Sequence, residues 1–196
     1  MSEFIKTITI YGASSSKIDP EYITAAKQLG GLMARKGITC INGAGQNGIM
    51  GAVSEEMLAY GGRVIGIIPQ FMIEEGWLNH SLTEVIVTPD MHSRKQLMAE
   101  KSDGCIALPG GVGTMEELLE MMTWKQLGLY KNPIIILNTN GYYNFLLQML
   151  EKSASENFIH HRHQAMWTVA ESPEEALELA VQKEEWDANP RSFAAI

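Results

Sequence analysis

The sequence predicts a single-domain, Rossmann-like α/β fold, a doubly wound parallel sheet of about seven strands with helices on both faces. Its 196 residues suit one domain with a sizeable core. Short apolar runs alternate along the chain with amphipathic helical patterns, which is typical of a parallel sheet covered by helices. The runs are almost continuously apolar, as expected of strands that are buried on both sides.

The strand-like runs, bounded by polar or glycine-containing segments, are 6–12, 38–42, 63–69, 82–88, 104–109, 133–138 and 165–170. Several helix ends are also marked. Asp19 and Pro20 supply a cap residue followed by proline at the first helical position, and Gly37 ends that helix. The pair Ser172-Pro173 opens the last helix in the same way.

The whole chain, 1–196, is predicted to form one nucleotide-binding domain without linkers or repeats. The last residues, 186–196, have only weak periodicity. We therefore expect this tail to be loosely ordered or docked on a partner chain.

Composition and charge exclude several classes of function. The net charge is −8 and no cluster of Lys and Arg occurs, so a nucleic-acid-binding surface is not expected. No apolar run approaches the roughly 18 residues of a membrane span, and no signal-peptide pattern is present. Cys40 and Cys105 lie in apolar runs outside any CxxC pair, which indicates buried free thiols in a reducing compartment. A cytoplasmic protein is predicted.

Loops with unusual composition follow four of the predicted strands. In open parallel sheets, ligands bind beyond the carboxyl ends of the strands, near the point where strand order reverses. The loops in question are 12–16, 42–51, 89–95 and 109–114. Because all four share one edge of the sheet, we expect the ligand site there.

The segment GAGQNG, 43–48, matches the GxGxxG pattern of dinucleotide-binding folds. That fingerprint requires an acidic residue at the end of the next strand, but this strand ends in IGIIPQ. A nicotinamide dinucleotide is therefore not favoured. Two alternatives remain open, namely glycines that only permit tight turns and close packing, and a phosphate or ribose contact of another kind.

The segment PGGVGT, 109–114, differs from a Walker A loop because no Lys-Ser/Thr pair follows its last glycine. Gly110, Gly111 and Gly113 nevertheless expose backbone amides at the start of a helix, where the helix dipole is positive. This geometry suits a monophosphate.

Glu117 has two possible roles on sequence grounds. The residues from Thr114 to Glu117 spell a capping box, in which the hydroxyl and the carboxylate each accept a hydrogen bond from a backbone amide. Glu116 would then be a solvated acid in the first turn of the helix. Alternatively, Glu117 acts on the ligand that the glycines hold.

Arg94 and Lys95 lie near the start of a helix that begins close to Pro89. Adjacent cations usually mark a solvated helix face. On the ligand edge of an acidic chain, however, they also suit a bound phosphate.

No metal site is predicted. The segment HHRH, 160–163, lies in a predicted loop and lacks the carboxylate or cysteine partners that a metal site would need. We interpret it as a surface turn.

Two motifs together resemble the signature of a known family. PGGVGTMEE, 109–117, matches PGGxGTxxE, and MHSRK, 91–95, precedes it at the expected interval. GAGQNGIMGAVSE, 43–55, is similar to a GGGxxGLMG segment. These are the marks of the LOG family of cytokinin riboside 5′-monophosphate phosphoribohydrolases, long labelled lysine decarboxylases. The similarity covers residues 11–150.

The resemblance implies hydrolysis of the N-glycosidic bond of AMP, or of an N6-substituted AMP, to free base and ribose 5-phosphate, with no cofactor and no metal. It makes Arg94 and Glu117 catalytic, with Glu117 facing the ribose. Gly110, Gly111, Gly113 and Thr114 would hold the phosphate, and Lys95 and Arg94 would complete the anion site. The implied substrate-binding residues are Ser14, Gly45, Met91, Lys95, Gly110, Gly111, Val112, Gly113, Thr114 and Glu116.

The chain departs from the family pattern in two places. Asn42 and Ala44 stand where the family tends to have Tyr and Gly. The glutamate by which the family reads the base aligns with Gly76, with Glu74 and Glu75 as displaced neighbours. The sequence therefore does not determine whether the base is adenine or an N6-prenylated adenine.

Two other functions were weighed against this one. A lysine decarboxylase would need pyridoxal phosphate on a Schiff-base lysine with an acidic partner for the ring nitrogen, and no segment presents that arrangement. A non-catalytic carrier or sensor of the same fold would bind AMP tightly without turnover.

A homodimer is also predicted. The helix expected over 115–127 has a core stripe of Met115, Leu118, Leu119 and Met122, while Met121 and Trp124 lie off it. A helix that is apolar over more than one face usually meets a partner, and the family resemblance implies the same.

Overall fold

The computed structural model describes residues 6–182, 186–187 and 189–193. Seven parallel strands form one sheet in the order β4-β3-β2-β1-β5-β6-β7. The strands are β1 (Thr7–Tyr11), β2 (Thr39–Asn42), β3 (Val64–Pro69), β4 (Glu84–Thr88), β5 (Cys105–Ala107), β6 (Ile134–Leu137) and β7 (Thr168–Ala170). The helices are α1 (Pro20–Arg35), α2 (Gly48–Ala59), α3 (Gln70–Glu74), α4 (Met91–Glu100), α5 (Val112–Gln126), α6 (Asn144–Ser155) and α7 (Pro173–Val181).

The predicted fold class is confirmed, and a strand lies within each of the predicted runs. The fifth and the last runs are each shortened to three residues, and at the last one His161–Met166 forms a 3₁₀ helix and leaves only Thr168–Ala170 as β7. Strand order reverses between β1 and β5, because the chain first builds β2 to β4 on one side of β1 and then returns to the other. The ligand edge predicted from the loops lies at this reversal.

Two apolar cores cover the two faces of the sheet. One contains Leu29 of α1, Met57 of α2 and Leu177 of α7. The other contains Met98 of α4 and Leu118 of α5. Successive side chains of a strand point to opposite faces, so both faces of the strands must be apolar. This explains the continuous apolar runs.

The predicted ends of α1 and α7 are confirmed. The Asp19 carboxylate accepts a hydrogen bond from the amide of Glu21 at 2.9 Å, and Pro20 is the first helical residue. Gly37 follows the end of α1 with a φ of 68°, in the left-handed region that favours glycine. The Ser172 hydroxyl accepts from the amide of Glu175 at 3.2 Å.

The predicted capping box at Thr114 is wrong. α5 begins at Val112 with Gly111 as its cap residue, so Thr114 is the third helical residue, and it is buried. The amide of Met115 already donates to the Gly111 carbonyl at 3.1 Å, as it does inside a helix. The Glu117 carboxylate is therefore too far along the helix to reach the orphan amides of the first turn.

The apolar stripe predicted for α5 is also wrong, because the buried face of the helix is rotated slightly from the predicted one. The side chains of Leu118, Met121 and Met122 are buried, whereas 38% of Leu119 is exposed. Met121 therefore belongs to the core and does not form a surplus apolar face. Trp124 is partly buried against the same core.

The interpretation of residues 160–163 as a surface turn is wrong for one residue. His161 and Arg162 are exposed, but His163 is fully buried and its ring lies 5.0 Å from the ring of Phe193. In the part of the chain that the structure describes, no group of three His, Cys, Asp or Glu side chains could hold a metal ion.

The described residues of the tail contact the chain to which they belong. The indole of Trp186 donates to the Lys125 carbonyl at 2.9 Å, and Pro190–Phe193 form a 3₁₀ turn. Residue 188 and residues 194–196, to which the predicted tail also extends, lie outside the described residues.

Both cysteines are buried and free, as predicted. Burial raises the pKa of each thiol to about 12, so neither is an activated nucleophile. Among the described helices, none has the length and apolar character needed to cross a bilayer.

The corrected phase of α5 can be tested by a pair of truncations. Met121→Ala should lower the free energy of unfolding by about 2–5 kcal/mol, because it removes a buried side chain. Leu119→Ala should cost less than about 1 kcal/mol, because its side chain already contacts solvent. Urea denaturation of the two variants measures both values. Equal losses of unfolding free energy, or a larger loss for Leu119→Ala, would support the predicted stripe, in which Leu119 and not Met121 faces the core.

Candidate active site

A cavity of about 330 Å³ opens at the ligand edge of the sheet. This volume lies at the lower end of the range for small-molecule sites. Its walls are formed by the loops after β1 and β2, by residues of α2, of β3 and of the segment that follows β3, and by one side chain of α4. The lining residues are Ser14, Gly43, Gly45, Gln46, Asn47, Met50, Ile68, Met72, Trp77 and Arg94. Ser14, Gly45 and Arg94 were predicted as site residues.

Arg94 is held rigidly at the wall of the cavity. Only 7% of its side chain is exposed. Its Nε donates to the carbonyl of Ile67 at the end of β3 at 3.0 Å, and its Nη1 donates to Oε1 of Glu117 at 3.1 Å. Nη1 also lies 3.9 Å from the sulfur of Met91, another predicted site residue. The alternative of a solvated helix face is therefore wrong for Arg94.

Glu117 is a nearly buried carboxylate, with 11% of its side chain exposed. Burial raises the pKa of Glu117 above its ordinary value, and the Arg94 guanidinium partly opposes that rise. The carboxylate thus has few water partners and one strong cationic partner. Such a group can stabilise positive charge that develops beside it.

Lys95 points away from the cavity and toward α5. Its ammonium group forms ion pairs with Glu116 and, at 3.1 Å, with Glu120. The lysine side chain is only 6% exposed, while the Glu116 side chain is half exposed. Glu116 is therefore an ion-pair partner in α5 and not a free solvated acid. A role for Lys95 in binding phosphate stays a prediction.

The glycines at the start of α5 differ in what surrounds them. A Cβ atom at Gly110 would overlap the side chain of Thr114, so glycine is needed there for the first turn to fold over the loop. At Gly111 and Gly113 a Cβ atom would meet nothing within 4 Å, and neither has a positive φ. The described structure thus gives no internal reason for these two glycines. Close approach of a ligand to the exposed backbone would be such a reason.

Gly43 is a site residue that the sequence analysis missed. A Cβ atom at this position would overlap Nη2 of Arg94, so the guanidinium occupies the space that a side chain would fill. The sequence signals were the place of Gly43 at the start of two glycine-rich motif matches and its position directly after β2 at the ligand edge. Those signals do not reveal which side chain comes close.

The two departures at 42 and 44 have structural consequences. The amide of buried Asn42 donates to the Ser54 hydroxyl at 2.8 Å, and its carbonyl oxygen accepts from the backbone N–H of Ala44 at 2.9 Å. Asn42 therefore fixes the start of the loop. Ala44 has a φ of 62°, in the region where glycine is favoured.

The segment expected to read the base presents apolar groups to the cavity. Met72 and Trp77 line it, whereas Glu74, Glu75 and Gly76 do not. Gly76 has a φ of 76° and turns the chain after α3. The amide of Asn79 donates to the Ala44 carbonyl at 2.8 Å and ties this segment to the loop after β2.

Comparison with known proteins identifies the family. A family model described as "Possible lysine decarboxylase" matches residues 50–180. The cytokinin riboside 5′-monophosphate phosphoribohydrolase LOG7 of Arabidopsis thaliana is 41% identical over 182 residues, which cover 93% of this chain and 82% of that protein. The chain belongs to the LOG family. A probable family enzyme of Oryza sativa, LOGL6, is 36% identical over 198 residues, covering 96% of this chain and 79% of that protein.

Two solved structures with a fold similar to that of this LOG family member are a molybdenum cofactor binding protein and a molybdenum cofactor carrier protein. One, from Rippkaea orientalis, has a TM-score of 0.68 at 24% identity and covers 91% of this chain and 96% of that one. The other, from Chlamydomonas reinhardtii, has a TM-score of 0.68 at 20% identity and covers 89% and 94%. At these identities the likeness concerns the fold alone.

The cavity does not fit the chemistry that the description of the family model suggests. Decarboxylation of an amino acid through pyridoxal phosphate needs a lysine for the Schiff base. Among the described residues, those that line the cavity include an arginine but no lysine. The LOG family member is therefore not equipped for that reaction in this cavity.

Gly43→Ala tests whether the packing around Arg94 matters. The added methyl group should displace the guanidinium and lower turnover about 100-fold, since a small misplacement of a reacting group can have an effect of that size. Gly104→Ala serves as the matched control, because its Cβ atom would meet its nearest neighbour, the Pro133 carbonyl oxygen, at an ordinary 3.5 Å. Turnover assays and thermal melts of both variants measure the effect. Unchanged turnover in Gly43→Ala would show that the position of Arg94 is not critical.

Proposed function

We propose that this LOG family member hydrolyses the N-glycosidic bond of AMP, or of an N6-substituted AMP, to free base and ribose 5-phosphate. The buried pair of Arg94 and Glu117 beside the cavity carries the proposal. The exposed glycine amides at the start of α5, the same helix that bears Glu117, support it. The relatives in Arabidopsis and rice bear the name of this activity.

The phosphate of the nucleotide would bind the amides of Gly111, Val112 and Gly113, where the dipole of the 15-residue α5 favours an anion. Glu117 lies between one and two helical turns further along α5. A ribose 5-phosphate extending from the loop along the helix would bring its C1′ toward this carboxylate. The base would then occupy the cavity.

Cleavage breaks the C1′–N9 bond, and the electron pair of that bond leaves with the base. The sugar passes through an oxocarbenium-like state, whose positive charge the Glu117 carboxylate stabilises. Water adds its oxygen to C1′, and the proton that it releases balances the protonation of the departing base. Arg94 holds Glu117 in position and favours its ionised form.

The cavity walls indicate how the base is held. Met50, Ile68, Met72 and Trp77 contribute apolar surface, and no carboxylate lines the cavity in the part of the chain that the structure describes. An aromatic ring and two flexible methionines suit a flat purine and leave room for adjustment. This apolar wall is compatible with adenine and with an apolar N6 substituent.

Glu117→Gln tests the proposed chemistry. The change keeps the size of the side chain but removes its negative charge, so turnover of AMP should fall roughly 10²–10³-fold. Glu120→Gln is the matched control, since it makes the same change one turn later on α5, at a residue paired with Lys95. Chromatography measures the free adenine that each variant releases from AMP. Near wild-type turnover by Glu117→Gln would contradict the mechanism.

The same assay separates the enzyme from a carrier or sensor. Binding of AMP without any release of adenine by the wild-type protein would favour the non-catalytic alternative. We propose that hydrolysis needs no added metal. Loss of turnover in EDTA, with recovery on addition of a divalent ion, would overturn that part of the proposal.

We further propose that the protein is a cytoplasmic homodimer. Two buried, reduced cysteines suit a reducing compartment. Large apolar side chains are exposed on and around α6, including Phe145 at 84%, Met149 at 60% and Phe158 at 76%. Exposed apolar surface of this kind commonly marks a contact with a partner.

The expected mass in solution is twice that of the 21.7 kDa chain. Light scattering after size-exclusion chromatography at micromolar concentration measures it directly. A monomeric mass under these conditions would refute the dimer.

A further inference from the structure

Every carbonyl group of the loop between β5 and α5, residues 108–111, accepts a hydrogen bond. The Leu108 carbonyl accepts from the hydroxyl of Tyr143 at 2.7 Å. The Pro109 carbonyl accepts from the amide of Ala13 at 3.1 Å, and the Gly111 carbonyl accepts from the amide of Met115. The Gly110 carbonyl accepts from the hydroxyl of Tyr142 at 2.6 Å.

The bond to Gly110 has a consequence for the next amide. In a trans peptide the C=O and N–H groups point in opposite directions, and the described chain contains no cis peptide bond. Holding the Gly110 carbonyl toward Tyr142 therefore directs the Gly111 N–H to the other side. Gly111 is exposed at the start of α5, which leaves room for a ligand to approach the backbone there.

The ring of Tyr142 is held in place by two neighbouring rings. It packs edge-on against Tyr143 at 5.1 Å and against Tyr22 at 5.9 Å. Tyr142 is 41% exposed and is not part of either buried core. A rigid ring with an exposed edge can hold a carbonyl without being needed for folding.

We propose that Tyr142 is a positioning residue for phosphate, which fixes the Gly110–Gly111 peptide so that the Gly111 amide donates to the phosphate of the nucleotide. This inference rests on the proposed function of the site. Tyr142 acts through the backbone and touches no reacting atom. Without its hydroxyl, the peptide can rotate, and the amide then spends part of its time directed away from the anion.

Binding of ribose 5-phosphate and of adenosine, measured by calorimetry, tests the proposal in the wild-type protein and in Tyr142→Phe. The variant should bind ribose 5-phosphate about 5- to 10-fold more weakly, the effect of one ordinary hydrogen bond. Its affinity for adenosine, which has no phosphate, should be unchanged. In turnover of AMP, the loss should appear mainly in KM.

Tyr22→Phe is the matched control, because it removes a hydroxyl from the neighbouring ring, which within the described residues donates to no carbonyl of the loop. It should bind both ligands like the wild type. Equal affinity of Tyr142→Phe and the wild-type protein for ribose 5-phosphate, including no measurable binding by either, would overturn the role of Tyr142. So would an equal loss of affinity for adenosine, which would indicate general damage.

The test distinguishes this inference from the proposed function. If the wild-type protein binds ribose 5-phosphate but releases no adenine from AMP, the proposed hydrolase function is refuted. A selective loss of ribose 5-phosphate binding in Tyr142→Phe would still support the positioning role in that case.

Discussion

The buried ion pair between Arg94 and Glu117 is the interaction on which the site depends. Burying two charges has a desolvation cost that their attraction offsets only when the geometry is good and other hydrogen bonds are satisfied. Here the guanidinium also donates to the carbonyl of Ile67, and the space that it needs exists because residue 43 is glycine. A pair of this kind is weak evidence for stability. Its position beside a cavity is better explained by function.

The same pair joins two helices that are separate in sequence. α4 follows β4 at one edge of the sheet, whereas α5 follows β5 beyond the point where strand order reverses. Arg94 and Lys95, adjacent in α4, reach three carboxylates of α5, namely Glu116, Glu117 and Glu120. The MHSRK and PGGVGTMEE motifs are therefore two halves of one structure. The first supplies both cations, and the second supplies Glu116, Glu117 and the exposed backbone at the start of α5.

The proposed phosphate site lies at the start of a helix that also carries acidic residues, and the ion pairs of these residues make the two features compatible. The amides of Gly111 and Gly113 lie at the N-terminal start of α5, where the positive end of the helix dipole is located. The carboxylates begin one turn later, and each has a cation from α4 as a partner. Arg94 and Lys95 thus offset two of these three negative charges.

Much of this could be predicted from the sequence, and the failures have physical causes. The strands were recognisable because burial on both faces makes them continuously apolar, and the loops at their carboxyl ends located the site. The capping box failed because a glycine can start a helix earlier than the first hydroxyl residue, as Gly111 does.

The contacts of Gly43, Lys95 and Tyr142 join segments that are distant in sequence, as in the hydrogen bond between Tyr142 and Gly110, which are 32 positions apart. Local periodicity carries no record of such contacts. The phase of α5 was missed for a related reason, because the choice between Leu119 and Met121 is made by the neighbouring elements and not by the helix itself.

A crystal structure of the Glu117→Gln variant with AMP would test the central claim most directly. The proposed mechanism predicts phosphate oxygens about 2.7–3.2 Å from the amide nitrogens at the start of α5, with the base in the cavity and C1′ beside the side chain at position 117. Phosphate bound away from the amides at the start of α5, or a nucleotide whose C1′ lies far from position 117, would contradict it.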